Sequence, residues 1–228
     1  MNFADKTKLT QLENQKLAIK EMIRLVYSAS RFEDNKATIR ETETIILGSD
    51  VYGLSTRDTK IIRQLQSAVE LMIRNSKPYS LAVSHAINGL VAKGESVAWG
   101  MLRTGKVKIG GTDYIPMIPV YDRVMADLTE IMMADQSATW KALKVMLYIM
   151  HGQLYWDGNK RTALLSANYI LIQNGAGLLI IDDEHMTAFY RLLNGYYNTG
   201  HGETLMNWLY ETCIVTDKAL DAKKESFN

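Results

Sequence analysis

The stretch Gln153-Leu154-Tyr155-Trp156-Asp157-Gly158-Asn159-Lys160-Arg161-Thr162-Ala163 joins the two most apolar parts of the chain. Before it, Val145 to Met150 is apolar on every face; after it, Thr162 to Ile181 runs twenty residues without a charge. Two core helices joined by so polar a loop need a reason. Asp157-Gly158-Asn159 reads as a turn in which the glycine takes a positive φ. A helix start follows, with free N–H groups and the positive dipole end. Lys160 and Arg161 oppose the usual acidic preference there and are unfavourable unless an anion neutralises them. The stretch therefore reads as a phosphate cradle of backbone N–H groups, Lys160 and Arg161, with Gly158 allowing close approach. Asp157 beside it would hold a hard cation, Mg²⁺ shared with the phosphates. The other reading is an ordinary cap, with Asp157 as capping residue and both cations solvated.

Twenty uncharged residues are long enough to cross a membrane. Ser166, Asn168, Gln173 and Asn174, and the break at Asn174-Gly175-Ala176-Gly177, instead predict a buried helix ended by a turn. The start, Met1 to Lys6, lacks the apolar run of a signal peptide, so a cytoplasmic protein with no membrane partner is expected. With 26 Lys+Arg against 25 Asp+Glu, no bulk field gathers nucleic acid, and none is expected as a partner. Cys213 is the sole cysteine, which excludes intrachain disulfides and multi-cysteine zinc sites. A chain of 228 residues, 47% apolar, can bury a substantial core.

Apolar periodicity predicts helices over about 8–27, 36–48, 56–76, 79–93, 120–133 and 138–150. Further helices are expected from about 159, over 184–197 and over 202–215. Val107-Lys108-Ile109-Gly110-Gly111-Thr112-Asp113-Tyr114-Ile115 alternates and turns on a glycine pair, which predicts a β-hairpin. No repeat or linker divides the chain. The expected organisation is an N-terminal helical extension over 1–20, one domain over 21–215 and a charged tail over 216–228.

The run Asp157 to Ala163 resembles the signature of the Fic/Doc (Fido) proteins, H-P-F-x-[D/E]-G-N-[G/K]-R, with Tyr155 at the aromatic position and Lys160 as in the Doc-like branch. Upstream, Glu33-Asp34-Asn35-Lys36-Ala37-Thr38-Ile39-Arg40-Glu41-Thr42 is similar to the E-G-N-x-x-T-x-x-E-T stretch of longer Fic proteins. The hairpin falls where that family keeps its flap, which docks the target segment by strand addition. The resemblance covers about residues 20–200. It implies a mostly α, Fic-type helical domain with one β-hairpin flap, and transfer of part of a nucleotide, usually AMP from ATP, onto a protein hydroxyl. By the same resemblance Asp157 would bind Mg²⁺, Gly158, Asn159 and Lys160 would form the anion nest, and Arg161 would pair with phosphate. Val107, Lys108 and Ile109 would dock the target. The implied ligands are ATP or another nucleoside triphosphate and Mg²⁺; the implied partner is a target protein, and a homodimer stays open.

Three positions depart from the signature. Gln153 stands where the family has its histidine base, and an amide cannot accept a proton near neutral pH. His151, two residues earlier, is either a substitute base or a helix-end residue. Leu164 replaces a second arginine that many members use for the terminal phosphate. In the family a glutamate of an upstream Ser/Thr-x-x-x-Glu helix inhibits by pairing with that arginine. Here the regulatory glutamate would be Glu33, Ala29 replaces the hydroxyl residue, and Lys160 or Arg161 is left as partner. Trp156, inside the loop, could bracket a base or a target side chain. Two functions follow: an adenylyltransferase-like protein with weak or altered transfer, or a non-catalytic helical interaction or regulatory module of the toxin–antitoxin kind.

Overall fold

The computed structural model describes residues 3–217. Of the charged tail expected over 216–228, residues 218–228 lie outside the described residues. The periodic segments fold as α1 (Gln11–Lys20), α2 (Met22–Ser30), α3 (Ile39–Ile46), α4 (Thr56–Arg74), α5 (Leu81–Val91), α6 (Tyr121–Met133), α7 (Ala138–Gly152), α8 (Asn159–Asn174), α9 (Met186–Thr199) and α10 (Glu203–Cys213). The helix expected over 8–27 is two helices. Thr10 and Glu13 start the first with a reciprocal capping box, and Glu21, at ψ 10°, interrupts it before α2. A short 3₁₀ turn, Arg31–Glu33, follows α2 and ends at Asp34 in the left-handed region.

α8 is the axis of the fold, packed by α7, α5, α4 and α1. Only Lys160, Gln173 and Asn174 along it are not buried, as expected for a helix apolar on all faces. No helix among the described residues is long and apolar enough to cross a membrane. The uncharged run after the loop is α8 followed by the strand β1 (Leu178–Leu179), which pairs antiparallel with β2 (Ile214–Val215) in the register Leu178 to Val215 and Leu179 to Ile214. Strands this short leave much backbone unpaired, and three buried side chains satisfy it. Asn14 of α1 exchanges two hydrogen bonds with the Gly177 backbone, Asn168 of α8 two with Leu179, and Ser28 of α2 two with Ile181.

The sheet is not where the alternation of 107–115 placed it. The turn forms: Gly111 has φ 78° and the Thr112 N–H donates to the Ile109 carbonyl at 3.4 Å. No ladder flanks it, and Val107, Lys108 and Ile109 are in irregular backbone. Val107 and Ile109 are half-buried and Lys108 exposed, so the alternation is obeyed by side chains without strand pairing. The carbonyls that bound this segment are spent on one side chain instead. Arg103, 1% exposed, donates to the carbonyls of Gly105, Pro116 and Met117 on the segment and to those of Gly152 and Gln153 at the end of α7. Its own N–H donates to Leu154 at 2.9 Å.

Candidate functional site

The loop between α7 and α8 is built from both ends inward. Gln153 ends α7 in the left-handed region at φ 44°, one of two non-glycine residues there among those described. Its carboxamide donates to the Met150 carbonyl at 2.6 Å and to the Tyr197 hydroxyl at 3.3 Å. Asn159 closes the other end: its side chain accepts from the Tyr155 N–H at 2.9 Å and donates to the Tyr155 carbonyl at 2.8 Å. Both hydrogen-bonding atoms of the Asn159 amide are thus engaged within the loop.

Gly158, at φ 71°, is the N-cap of α8, so the turn and the helix start both form where the sequence places them. A Cβ on it would come within 3.1 Å of the Ala92 side chain, so α5 closes over the loop at this point. Asp157 is not the cap; one oxygen accepts from the Gly158 N–H at 2.6 Å, and the side chain is 40% exposed. Asn88 of α5 fixes the loop from beneath, donating to the Asp157 carbonyl at 2.9 Å and the Thr162 hydroxyl at 3.1 Å. Trp156 is half-buried, its ring tip 2.5 Å from where a Cβ on Gly105 would stand, so it packs on the base of the 105–116 segment.

Arg161 points inward and is fully buried. Its guanidinium donates to the Val91 carbonyl at 2.6 Å and to Glu95 at 2.5 Å, and lies 3.6 Å from Asp157. Its Nε is 2.9 Å from a Glu33 oxygen without being aligned as a hydrogen bond, so that contact is coulombic. Of the two partners left open for Glu33, Arg161 is the one in ion-pair contact. Lys160, half-buried, is close enough for its charge to favour ionised Glu33. Burial nevertheless pushes the Glu33 carboxyl up from its ordinary value, with Asp157 and Glu95 adding to the shift against the pull of Arg161 and Lys160.

Beside the loop lies a cavity of about 420 Å³ lined by Glu33, Glu95 and Asp157 and by Thr56, Arg57 and Lys60 of α4, with Arg57 3.5 Å from the Glu33 carboxylate. The three carboxylates offer oxygens within 4.8 Å of one another, a donor set that suits a hard divalent cation. Arg161 fills the centre of that set, so a cation and the guanidinium cannot share it. The free oxygen of Asp157 is the part of the set that a cation reaches with Arg161 in place.

His151 belongs elsewhere. Its ring lies between Tyr114 and Tyr196, with centroids at 4.2 and 4.8 Å, and its Nδ1 is 2.9 Å from the Tyr114 hydroxyl. It lines a second cavity that shares no residue with the first. The sequence reading brought together Glu33, Asp157, Gly158, Lys160 and Arg161, and these do meet; Val107, Lys108 and Ile109 line neither cavity. It missed Glu95, Arg103, Asn88, Arg57 and Lys60. Asn88, a polar residue inside the apolar run of α5, carried a signal; Glu95, in a turn after Gly94, carried none.

Similar folds have been solved. The chain superposes on Fic-1 (residues 134–508) from C. elegans with a TM-score of 0.73 at 19% identity, over 83% of this chain and 59% of that one. A Fic-domain signalling protein from Bacteroides thetaiotaomicron gives 0.69 at 14% identity, over 88% and 86%. A Fic family protein from Desulfovibrio desulfuricans gives 0.67 at 20%, over 93% and 67%. The protein has the Fic (Fido) fold, mostly helical. It spans less than two thirds of the nematode chain. No protein-family model matches the sequence, and no curated protein matches it either.

Proposed function

We propose that this protein binds a nucleotide by its phosphates at Asp157 to Arg161, with Mg²⁺ on Asp157, as a protein adenylyltransferase does, and that its transfer chemistry is weak or altered. The observation that carries the reading is the cavity of about 420 Å³ beside the loop, where Asp157, the residue just ahead of the Gly158 cap of α8, shares the lining with Arg57 and Lys60. Transfer of AMP requires a protein hydroxyl oxygen to bond to the α-phosphorus while pyrophosphate leaves and the hydroxyl proton goes to an acceptor. The Gln153 amide cannot be that acceptor, and base catalysis is worth about 10²–10⁴-fold. Mg²⁺ would neutralise phosphate charge; the N–H groups at the start of α8 and Lys160 would orient the oxygens. Glu33 would act as a brake, since phosphate gains Arg161 only as Glu33 and Glu95 release it.

Thermal unfolding of the full chain tests this. Millimolar Mg–ATP is expected to raise Tm, with the rise lost in Lys160→Ala and larger in Glu33→Ala. No rise in the unmodified protein sinks the reading. A specific observation favours a second one, a non-catalytic interaction module: the Gln153 amide is tied to Met150 and Tyr197, and His151 faces another cavity. Labelled ATP distinguishes them. A Gln153→His chain that labels protein supports a scaffold lacking only its base, whereas one that binds ATP without labelling supports the module.

A further inference from the structure

The second cavity, also of about 420 Å³, lies between the 114–120 segment, α6 and the last turns of α7. Its walls are largely apolar or aromatic, and the rim residues Met117 and Val120 are exposed. Two of its polar groups are engaged within its own walls. One oxygen of Asp127 takes the Nε of Arg123 at 2.9 Å, and the other takes the Tyr148 hydroxyl at 2.9 Å. The Tyr114 hydroxyl is engaged with His151 Nδ1. At its mouth the Arg123 side chain is 79% exposed; its terminal nitrogens donate to nothing among the described residues, while Asp127 tethers the guanidinium through Nε. Burial pushes the His151 imidazole below its ordinary value, so the aromatic wall is neutral at pH 7. An apolar, flat-walled recess with a tethered guanidinium fork at its mouth selects an acceptor of matching planar geometry.

We propose that this cavity binds a small organic carboxylate with a flat apolar body. The carboxylate pairs with the terminal nitrogens of Arg123, and the body lies against Tyr114, His151 and Tyr196 beneath the 114–120 segment. The site stands independently of any nucleotide at the DGNKR loop. Titration calorimetry of the full chain with indole-3-acetate, and with tryptamine as a matched cation of the same ring, tests it. The acid is expected to bind saturably with Kd of about 1 mM or tighter, as its size allows, and tryptamine at least about tenfold more weakly. Arg123→Gln alters an exposed side chain and should abolish the preference for the acid. Met117→Glu, on the exposed rim, should weaken the acid further than the amine. Mg–ATP should leave the titration unchanged. Absence of saturable binding by the acid, equal binding of the amine, an Arg123→Gln chain that keeps the preference, or displacement by Mg–ATP would each overturn the proposal.

Discussion

Two buried arginines hold the two ends of the DGNKR loop, and they do so with opposite chemistry. Arg103 grips the α7 end through neutral backbone carbonyls. Arg161 grips the α8 end mainly through carboxylates, Glu95 at 2.5 Å and Glu33 at 2.9 Å, with one backbone carbonyl, Val91, at 2.6 Å. A guanidinium spread over carbonyls has no competitor in an anionic ligand, since leaving them would strand several acceptors. One held by carboxylates can exchange them for phosphate oxygens of the same charge. Under the proposed function, the α7 end of the loop is structural and the α8 end is where phosphate would exchange with carboxylates.

Breaking the exchangeable end should cost most. Arg161→Met leaves Glu95 and Asp157 without their cation and Glu33 with only Arg57, 3.5 Å away, and removing one member of a buried ion cluster costs about 3–5 kcal/mol. Urea unfolding midpoints measure it; a loss under 1 kcal/mol would show that water already solvates those carboxylates. Arg103→Lys sharpens the comparison from the other side. An ammonium has three donors and no planar fork, so it cannot serve all the carbonyls that Arg103 reaches, at a cost of about 2–3 kcal/mol. Hydrogen exchange should quicken over 105–117 while α4 and α5 stay protected. The smallest effect is a slope with pH. The folded state holds the Glu33 carboxyl above its ordinary value, so it binds a proton more readily than the unfolded chain. Stability of the native sequence should therefore fall as pH rises from the ordinary carboxylate range through the raised folded value, and Glu33→Gln should flatten that fall. A Glu33→Gln chain with an unchanged slope from pH 4 to 8 would place the titration on another group.

The turn and helix start at Asp157-Gly158-Asn159 were legible because glycine and asparagine act locally on backbone dihedrals. Burial of α8 was legible from its uncharged run. The inward turn of Arg161 was half-legible: a charge on a helix buried all round must find partners inside. Those partners, Glu33 and Glu95, are distant in sequence, and only the packing of α5 against α8 and the 3₁₀ turn after α2 brings them in. The 107–115 segment misled for a related reason. Alternation reports which side chains are half-buried, not what the backbone pairs with, and here Arg103 took the carbonyls at either edge. The division of 8–27 into two helices hinges on Glu21, whose local sequence carries neither glycine nor proline.

The clasp on residues 177–181 has a consequence for biogenesis. Its acceptors and donors are met by Asn14 and Ser28, which leave the ribosome early, and by Asn168, which leaves just before. A nascent chain stalled short of Gly177 carries Asn14 and Ser28 with amide and hydroxyl unanswered; α2 can already pack on α3 and α4, but its clasp on the strand waits until the strand is translated. The clasp itself should consequently be a late event in refolding, joined to completion of the central helix rather than preceding it.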